Sequence, residues 1–189
     1  MLDEEAAYPT REKGWMHSLT LPRVLTLRQG KLFSQPAREL RALRIAESAV
    51  DIDAQETPGV RAELGDGAEV LLDLTFGAAQ RLTLTLAYGL ERTTLTYDRA
   101  QQVMTIDRTG MKKGARGVRR FKLFTDGHLS LQLFVDKTIV EAFFEHGEEA
   151  ATWNVFPEKN IAPELILSAD APLESVTGRV WELDAIKFR

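Results

Sequence analysis

Three carboxylates lie close together in the sequence and carry its clearest chemical possibility: Asp136, Glu141 and Glu145. Two carboxyl groups flanking a bond can act as acid/base and nucleophile, the arrangement most glycosidases use. The surrounding apolar/polar alternation puts all three on a β-hairpin, with Asp136 at its turn. Glu141 and Glu145 then point to one face of one strand, about 13 Å apart along an extended chain. Catalytic pairs stand roughly 5–10 Å apart. The spacing therefore favours polar, hairpin-forming carboxylates over a catalytic pair.

Other reactive groups are sparse. His17, His128 and His146 are far apart in sequence, and none has a second histidine at metal-ligand spacing. His128 and His146 adjoin glycines in predicted turns, where solvated side chains are the rule. The chain contains no cysteine, so thiolate metal sites and disulfides are excluded, and a reducing cytoplasm is compatible. The expectation is no catalytic residue, no metal ligand and no cofactor-binding residue in this chain.

One basic cluster stands out: Lys112, Lys113, Arg116, Arg119 and Arg120, interleaved with Gly110, Gly114 and Gly117. Cations on glycine-rich backbone suit an anion such as a phosphate or sugar phosphate. The segment lacks the spacing and terminal Lys-Ser or Lys-Thr of a P-loop, and a solvated loop between two strands is the favoured reading. Trp15, Trp153, Trp181, Phe143 and Phe144 are candidates for a sugar-stacking platform. Core packing is the better account of most of them. Phe143 and Phe144 are neighbours in a strand and must face opposite sides of the sheet, one into the core and the other exposed or at an interface.

The elements that must position these residues are strands. Leu82, Leu84 and Leu86 alternate with Thr83 and Thr85. Leu129, Leu131, Leu133 and Val135 alternate with Ser130, Gln132 and, less cleanly, Phe134. Leu95 with Tyr97, and Leu72 and Leu74 with Phe76, repeat the pattern. Turn signals separate these runs: Gly65-Asp66-Gly67, Gly77, Gly89, Asp98-Arg99, Asp126-Gly127 and His146-Gly147. Many short strands with regular turns predict an all-β fold, an antiparallel two-sheet β-sandwich of jelly-roll or concanavalin-like form. The one helical candidate is Ala37 to Ala49, where Leu40, Leu43 and Arg44 fit a short helix or an extended segment equally. A hairpin over Val24 to Phe33 turns near Gln29-Gly30, and Pro36 ends it. The run Ser175 to Ile186 predicts a closing strand.

Composition narrows the classes. The chain has 189 residues, 44% of them hydrophobic, and a formal charge of −4. It is long enough for an unstapled core, and nothing global attracts nucleic acid or an anionic membrane. Its apolar runs fall far short of the roughly 20 residues a membrane-spanning helix needs. Met1 to Glu12 are acidic and polar, unlike a signal peptide, which agrees with a cytoplasmic protein and equally with a fragment.

Two stretches go further. The first is Gly14-Trp15-Met16-His17-Ser18-Leu19-Thr20-Leu21-Pro22-Arg23, continued by Leu25-Thr26-Leu27, Gly30-Lys31-Leu32 and Gln35-Pro36. It resembles the place in glycoside hydrolase family 32 where the catalytic propeller ends and a β-sandwich begins. The second, Leu131 to Phe144 with its Phe134-Val135-Asp136 and Glu141-Ala142-Phe143, followed by Gly147-Glu148 and Phe156-Pro157, resembles that family's C-terminal hairpin. Thr94 to Asp98, Asp107-Arg108 and Trp181-Glu182-Leu183 are similar to its other strands. Within the family the likeness is strongest to the sucrose-6-phosphate hydrolases, on Lys112–Leu123 and Val140–Phe144, with invertases and levan- or inulin-cleaving members left open.

The resemblance implies a two-part enzyme, a five-bladed catalytic propeller with a sandwich packed against it, performing retaining β-fructofuranosyl hydrolysis. The family's catalytic motifs, of the type Asn-Asp-Pro-Asn-Gly, Arg-Asp-Pro and Glu-Cys, do not occur here. No catalytic residue carries over. On this reading residues 1–34 are the remnant of the propeller end and its linker, and 35–189 form the sandwich. The expected role is non-catalytic support of the propeller, leaving an exposed apolar patch on the isolated domain. A carbohydrate-binding module and a homo-oligomerisation element, built on exposed strand edges and the Phe143/Phe144 hairpin, are the alternatives.

Overall fold

The computed structural model describes residues 8–48, 50–52, 60–158 and 161–185. Among them run fifteen strands. In chain order they are β1 (Arg23–Arg28), β2 (Lys31–Pro36), β3 (Arg44–Ser48), β4 (Asp51–Ile52), β5 (Val60–Glu63), β6 (Gly67–Thr75), β7 (Arg81–Tyr88) and β8 (Glu91–Asp98). Then follow β9 (Val103–Asp107), β10 (Val118–Lys122), β11 (His128–Asp136), β12 (Ile139–Phe144), β13 (Glu149–Asn154), β14 (Glu164–Ala169) and β15 (Ser175–Leu183). One sheet has the order β10-β9-β8-β7-β14-β5-β4, the other β13-β12-β11-β6-β15-β3, and β1-β2 is a separate hairpin. Every pairing is antiparallel. This is the two-sheet sandwich that the strand period predicts.

The alternation becomes burial. Leu82, Leu84 and Leu86 of β7, Leu95 and Tyr97 of β8, and Leu165 and Leu167 of β14 are buried on the inner face of the seven-stranded sheet. Val70, Leu72 and Leu74 of β6 and Leu129 to Val135, at alternate positions of β11, fill the inner face of the other. Each such side chain contributes about 1.5–3 kcal/mol when fully removed from water. The two layers meet through rings: Phe76 lies 5.5 Å from Tyr97, and Phe121 lies 5.6 Å from Phe144.

Turns fall where glycine and short polar residues sit. Gln29 and Gly30 both take positive φ, 49° and 79°, the two-residue geometry that suits the right-handed twist of a hairpin. The ambiguous segment from Ala37 divides. Arg38–Leu43 form a 3-10 turn burying Leu40, and Arg44 then opens β3. Ala49, at the end of that segment, lies outside the described residues, as do Met1 to Ala7 and Ile186. Ser175–Leu183 of the closing run form β15, which pairs with both β6 and β3.

The six-stranded sheet departs from a simple half-buried pattern. Its outer face carries Glu69, Phe134, Glu141 and Phe143, which are 1%, 4%, 2% and 2% exposed. They are covered by the segment from Leu19 to Leu43, here called the strap. This is why Phe134 blurs the alternation of β11: both faces of that strand are dry near its end.

Candidate functional site

Two buried carboxylates organise the outer face of the six-stranded sheet, and Glu141 is the one that holds the strap. Glu141, in β12, accepts the Leu21 backbone amide at 2.6 Å and the Arg23 guanidinium through its other oxygen. Thr152 on neighbouring β13 donates to the same carboxylate at 3.3 Å and accepts from Arg23 at 2.8 Å. The Arg23 guanidinium also lies 4.9 Å from the centre of the Phe143 ring. Glu69, in β6, receives a two-pronged bond from Arg44, Nε to Oε2 at 2.8 Å and Nη2 to Oε1 at 2.7 Å. Gln132 of β11 donates to Oε1 at 2.7 Å. Trp181 of β15 stacks on that guanidinium, with its ring centre 3.7 Å from Cζ. Fork-to-carboxylate geometry with an aromatic face is what arginine offers and lysine does not. The Glu69 pairing raises the Arg44 pKa further above its ordinary range, its hydrogen bond outweighing the effect of burial.

Two further contacts fix the hairpin. The Ala37 amide donates to the Pro22 carbonyl at 2.9 Å, closing the strap on itself. Gly147, at φ 90°, lies so near β2 that a Cβ there would stand 2.5 Å from the Ser34 carbonyl oxygen. Only glycine tolerates both that φ and that approach.

The strap and the residues just before it expose apolar side chains to water. Of the eleven large hydrophobic side chains exposed among the described residues, seven lie between residues 15 and 32: Trp15, Met16, Leu19, Val24, Leu25, Leu27 and Leu32. Leu27 pairs directly with Leu32, and Leu25 lies two residues along the same face. Scattered exposed leucines are ordinary, but this concentration in one short segment marks a surface built to be covered.

The carboxylates expected on one strand are separated. Asp136 ends β11 and Glu141 lies within β12, and both line a cleft of about 430 Å³ beneath Leu19 and Leu21. Glu145 has left the strand. It sits in a 3-10 turn, Glu145–Gly147, at φ 47°, and accepts the Ser130 amide at 3.0 Å. Burial pushes its pKa up, opposed by that amide and by His128 and His146. The shared-face geometry for Glu141 and Glu145 is thus corrected: the backbone kinks after Phe144. Glu141 is also not a solvated hairpin residue, since the strap covers it and its oxygens are engaged. The signal for this lay in the sequence as Arg23, 118 residues away from Glu141, and local pattern does not pair residues at that distance.

The aromatics are largely internal. Phe144 is in the main core. Phe143, expected either inside or exposed, is buried beside Phe134 and Leu40 under the strap. Trp153 and Trp181 are buried, leaving Trp15 the one exposed member of the proposed platform. Burial also removes both phenylalanines as edge contacts between chains. His128 opens β11, with its side chain 43% exposed and 3.9 Å from Asp73. His17 is exposed, and His146 is exposed with its ring 3.5 Å from the Ser130 hydroxyl. No group of three metal-ligating side chains occurs among the described residues. No helix among them is long and apolar enough to cross a membrane. The basic cluster spans the β9–β10 connection and β10 itself. Lys112 is spent on Glu158 at 2.7 Å, and Lys113, Arg116, Arg119 and Arg120 are exposed.

Known proteins with this sequence and shape agree on one family. The model of the glycosyl hydrolases family 32 C-terminal region matches residues 39–182. The chain is 33% identical over 159 residues to the sucrose-6-phosphate hydrolase of Staphylococcus xylosus, covering 81% of this chain and 32% of that one. It is 30% identical over 186 residues to the sucrose-6-phosphate hydrolase of Bacillus subtilis (strain 168), covering 95% and 36%. It thus spans about a third of the length of these curated relatives. The sucrose-6-phosphate hydrolase structure from Lactobacillus gasseri shares the fold with a TM-score of 0.77 at 24% identity, over 96% of this chain and 37% of that one. A Bombyx mori GH32 beta-fructofuranosidase does so with 0.76 at 23%, over 95% and 36%. The match over residues 39–182, on a sandwich with these strands, means that this chain belongs to the C-terminal domain family of the family 32 glycosyl hydrolases.

Proposed function

We propose that this chain is the non-catalytic β-sandwich of a cytoplasmic β-fructofuranosidase, acting on sucrose or sucrose 6-phosphate, and that it buttresses a catalytic five-bladed propeller preceding it. The observation that carries this reading is the two-sided strap. One side is clamped to the sandwich by Glu141, and the other presents Leu25, Leu27 and Leu32 to solvent. Residues 1–34 on this reading are the end of the propeller and the linker, and 35–189 are the sandwich. Glu141 fastens the linker at Leu21 and Arg23, which on this reading holds the propeller at one orientation. The names of the curated relatives and the one-third coverage support the enzyme class. Two of the three candidate acids are engaged elsewhere, Glu141 in anchoring the strap and Glu145 in holding the Ser130 amide, and Asp136 stands at the hairpin turn that ends β11. A sugar-stacking module has less support, because the proposed platform is buried except for Trp15.

The test is a turnover assay of residues 1–189 with sucrose and sucrose 6-phosphate. The expected result is no release of fructose. Robust hydrolysis that disappears on changing a carboxylate within this chain would sink the proposal.

A further inference from the structure

Arg108 directly follows β9, at the start of the loop that leads to β10. It is 8% exposed, and its Nε is buried without a hydrogen-bond partner. Among the described residues its side chain donates no hydrogen bond and forms no ion pair. The neighbouring carboxylate, Asp107, is turned to Thr109, accepting its amide and its hydroxyl at 2.7 Å each. Residues 108–120 contain six cations and no acid. Arg108 therefore differs from the surface cations around it, which water satisfies. A guanidinium nitrogen buried without an acceptor is costly.

The loop is packed, and its nearest carboxylates are taken: Glu91 accepts the Lys112 and Glu158 amides, and Glu158 pairs with Lys112. The Arg108 amide donates to the Gly117 carbonyl at 3.0 Å, and its carbonyl accepts from Met111 at 3.1 Å, so the loop is closed at its base. Gly114 sits against Phe156, where a Cβ would collide with the ring, and Phe156 meets Tyr8 edge-on at 5.9 Å. Burial first, and the positive charge of Arg119 second, draw the Arg108 pKa down, with Tyr8 opposing. The charge that would complete this corner is negative. A planar guanidinium fork beside a second arginine suits an oxyanion with two acceptor oxygens.

We propose that Arg108, with Arg119 on the neighbouring strand, paired with Ile106 two residues before Arg108, is a seat for an oxyanion, a carboxylate or a phosphate-type group, at the base of the β9–β10 loop. The two sources share the chemistry, and the choice of anion distinguishes them.

The experiment is thermal unfolding of the 189-residue chain titrated with sodium phosphate, sodium acetate or sodium chloride at matched ionic strength. Wild type, R108K and R119M are compared, with folding checked by circular dichroism. At tenfold excess over Kd, a bound anion should raise Tm by about 3–6 °C above the chloride control. A larger response to phosphate identifies a phosphate-type ligand, and one at least as large to acetate identifies a carboxylate. R108K keeps the charge and loses the fork, and should at least halve the response. R119M, at an exposed position, should weaken binding several-fold and decides the matter should R108K not fold. No saturable rise beyond chloride, or a rise that survives both substitutions unchanged, overturns the proposal.

Discussion

Removing Arg44 while leaving Glu69 in place tests the outer-face network most severely. Glu69 is 1% exposed, and its carboxylate is held by the Arg44 fork and by Gln132. In Arg44→Met the flexible apolar side chain can still cover Trp181, but Glu69 loses its counter-charge. Breaking a buried ion pair from one side costs about 3–5 kcal/mol. Gln132 still donates one bond and the Arg44 side chain is 22% exposed, so the lower end applies. The lost stacking on Trp181 adds roughly 0.5–1 kcal/mol for a partly wet cation. A net loss of about 3–4 kcal/mol corresponds to a Tm drop of roughly 6–16 °C at this size. Chemical denaturation read by tryptophan fluorescence measures the loss, with Trp181 as the local reporter. The double variant Arg44→Met/Glu69→Leu should recover most of it, because replacing a whole buried pair is often neutral. A single-variant loss below about 1 kcal/mol, or a double variant equal to the sum of two large losses, would refute the reasoning.

The other predictions concern the strap and one edge turn. Glu141→Gln keeps the acceptor for the Leu21 amide but removes the charge facing Arg23, so stability should fall by about 1.5–3 kcal/mol. Hydrogen exchange at Leu21 should accelerate ahead of the core amides. Gly147→Ala places a methyl against the Ser34 carbonyl at a positive φ, and should cost at least about 1–3 kcal/mol, the strain of a residue forced into that region. Proteolysis within β1–β2 should then begin before global unfolding. Asp170 accepts the Gln80 and Arg81 amides at 2.9 and 3.0 Å, chiefly the Arg81 bond holding its carboxyl below the usual range. Its stabilisation is present above the unfolded pKa of about 3.9 and is lost as pH falls through the folded value. Asp170→Asn should therefore flatten the stability–pH curve in that acidic window and leave it unchanged in shape near neutrality.

The fold was legible because its strands obey one period. Leu82-Leu84-Leu86 and Leu129-Leu131-Leu133 sit on inner faces as their alternation predicts, and Gln29-Gly30 turns the first hairpin as a two-residue loop must. What local pattern hid were contacts spanning most of the chain. Glu141 reads as a polar hairpin residue until Leu21 and Arg23 close over it, and the sequence does not say which of Phe143 and Phe144 leaves the core, or that Leu40 covers Phe143. Arg44 sits in a segment that fits helix or strand by composition. Its pairing with Glu69 and Trp181 settles it as the start of β3. His146-Gly147 marks a turn in the sequence, but the kink already begins with positive φ at Glu145 and His146, two non-glycine residues, a conformation uncommon outside glycine.

The central claim is that this sandwich supports a catalytic domain through the strap. The direct measurement is thermal inactivation of a chain that carries the proposed propeller ahead of these residues, with and without residues 35–189. The account predicts hydrolysis in the longer chain that is lost at markedly lower temperature when the sandwich is removed, and a similar loss when Leu25, Leu27 and Leu32 are changed together to polar residues. Equal inactivation temperatures for the intact and truncated enzymes would contradict it.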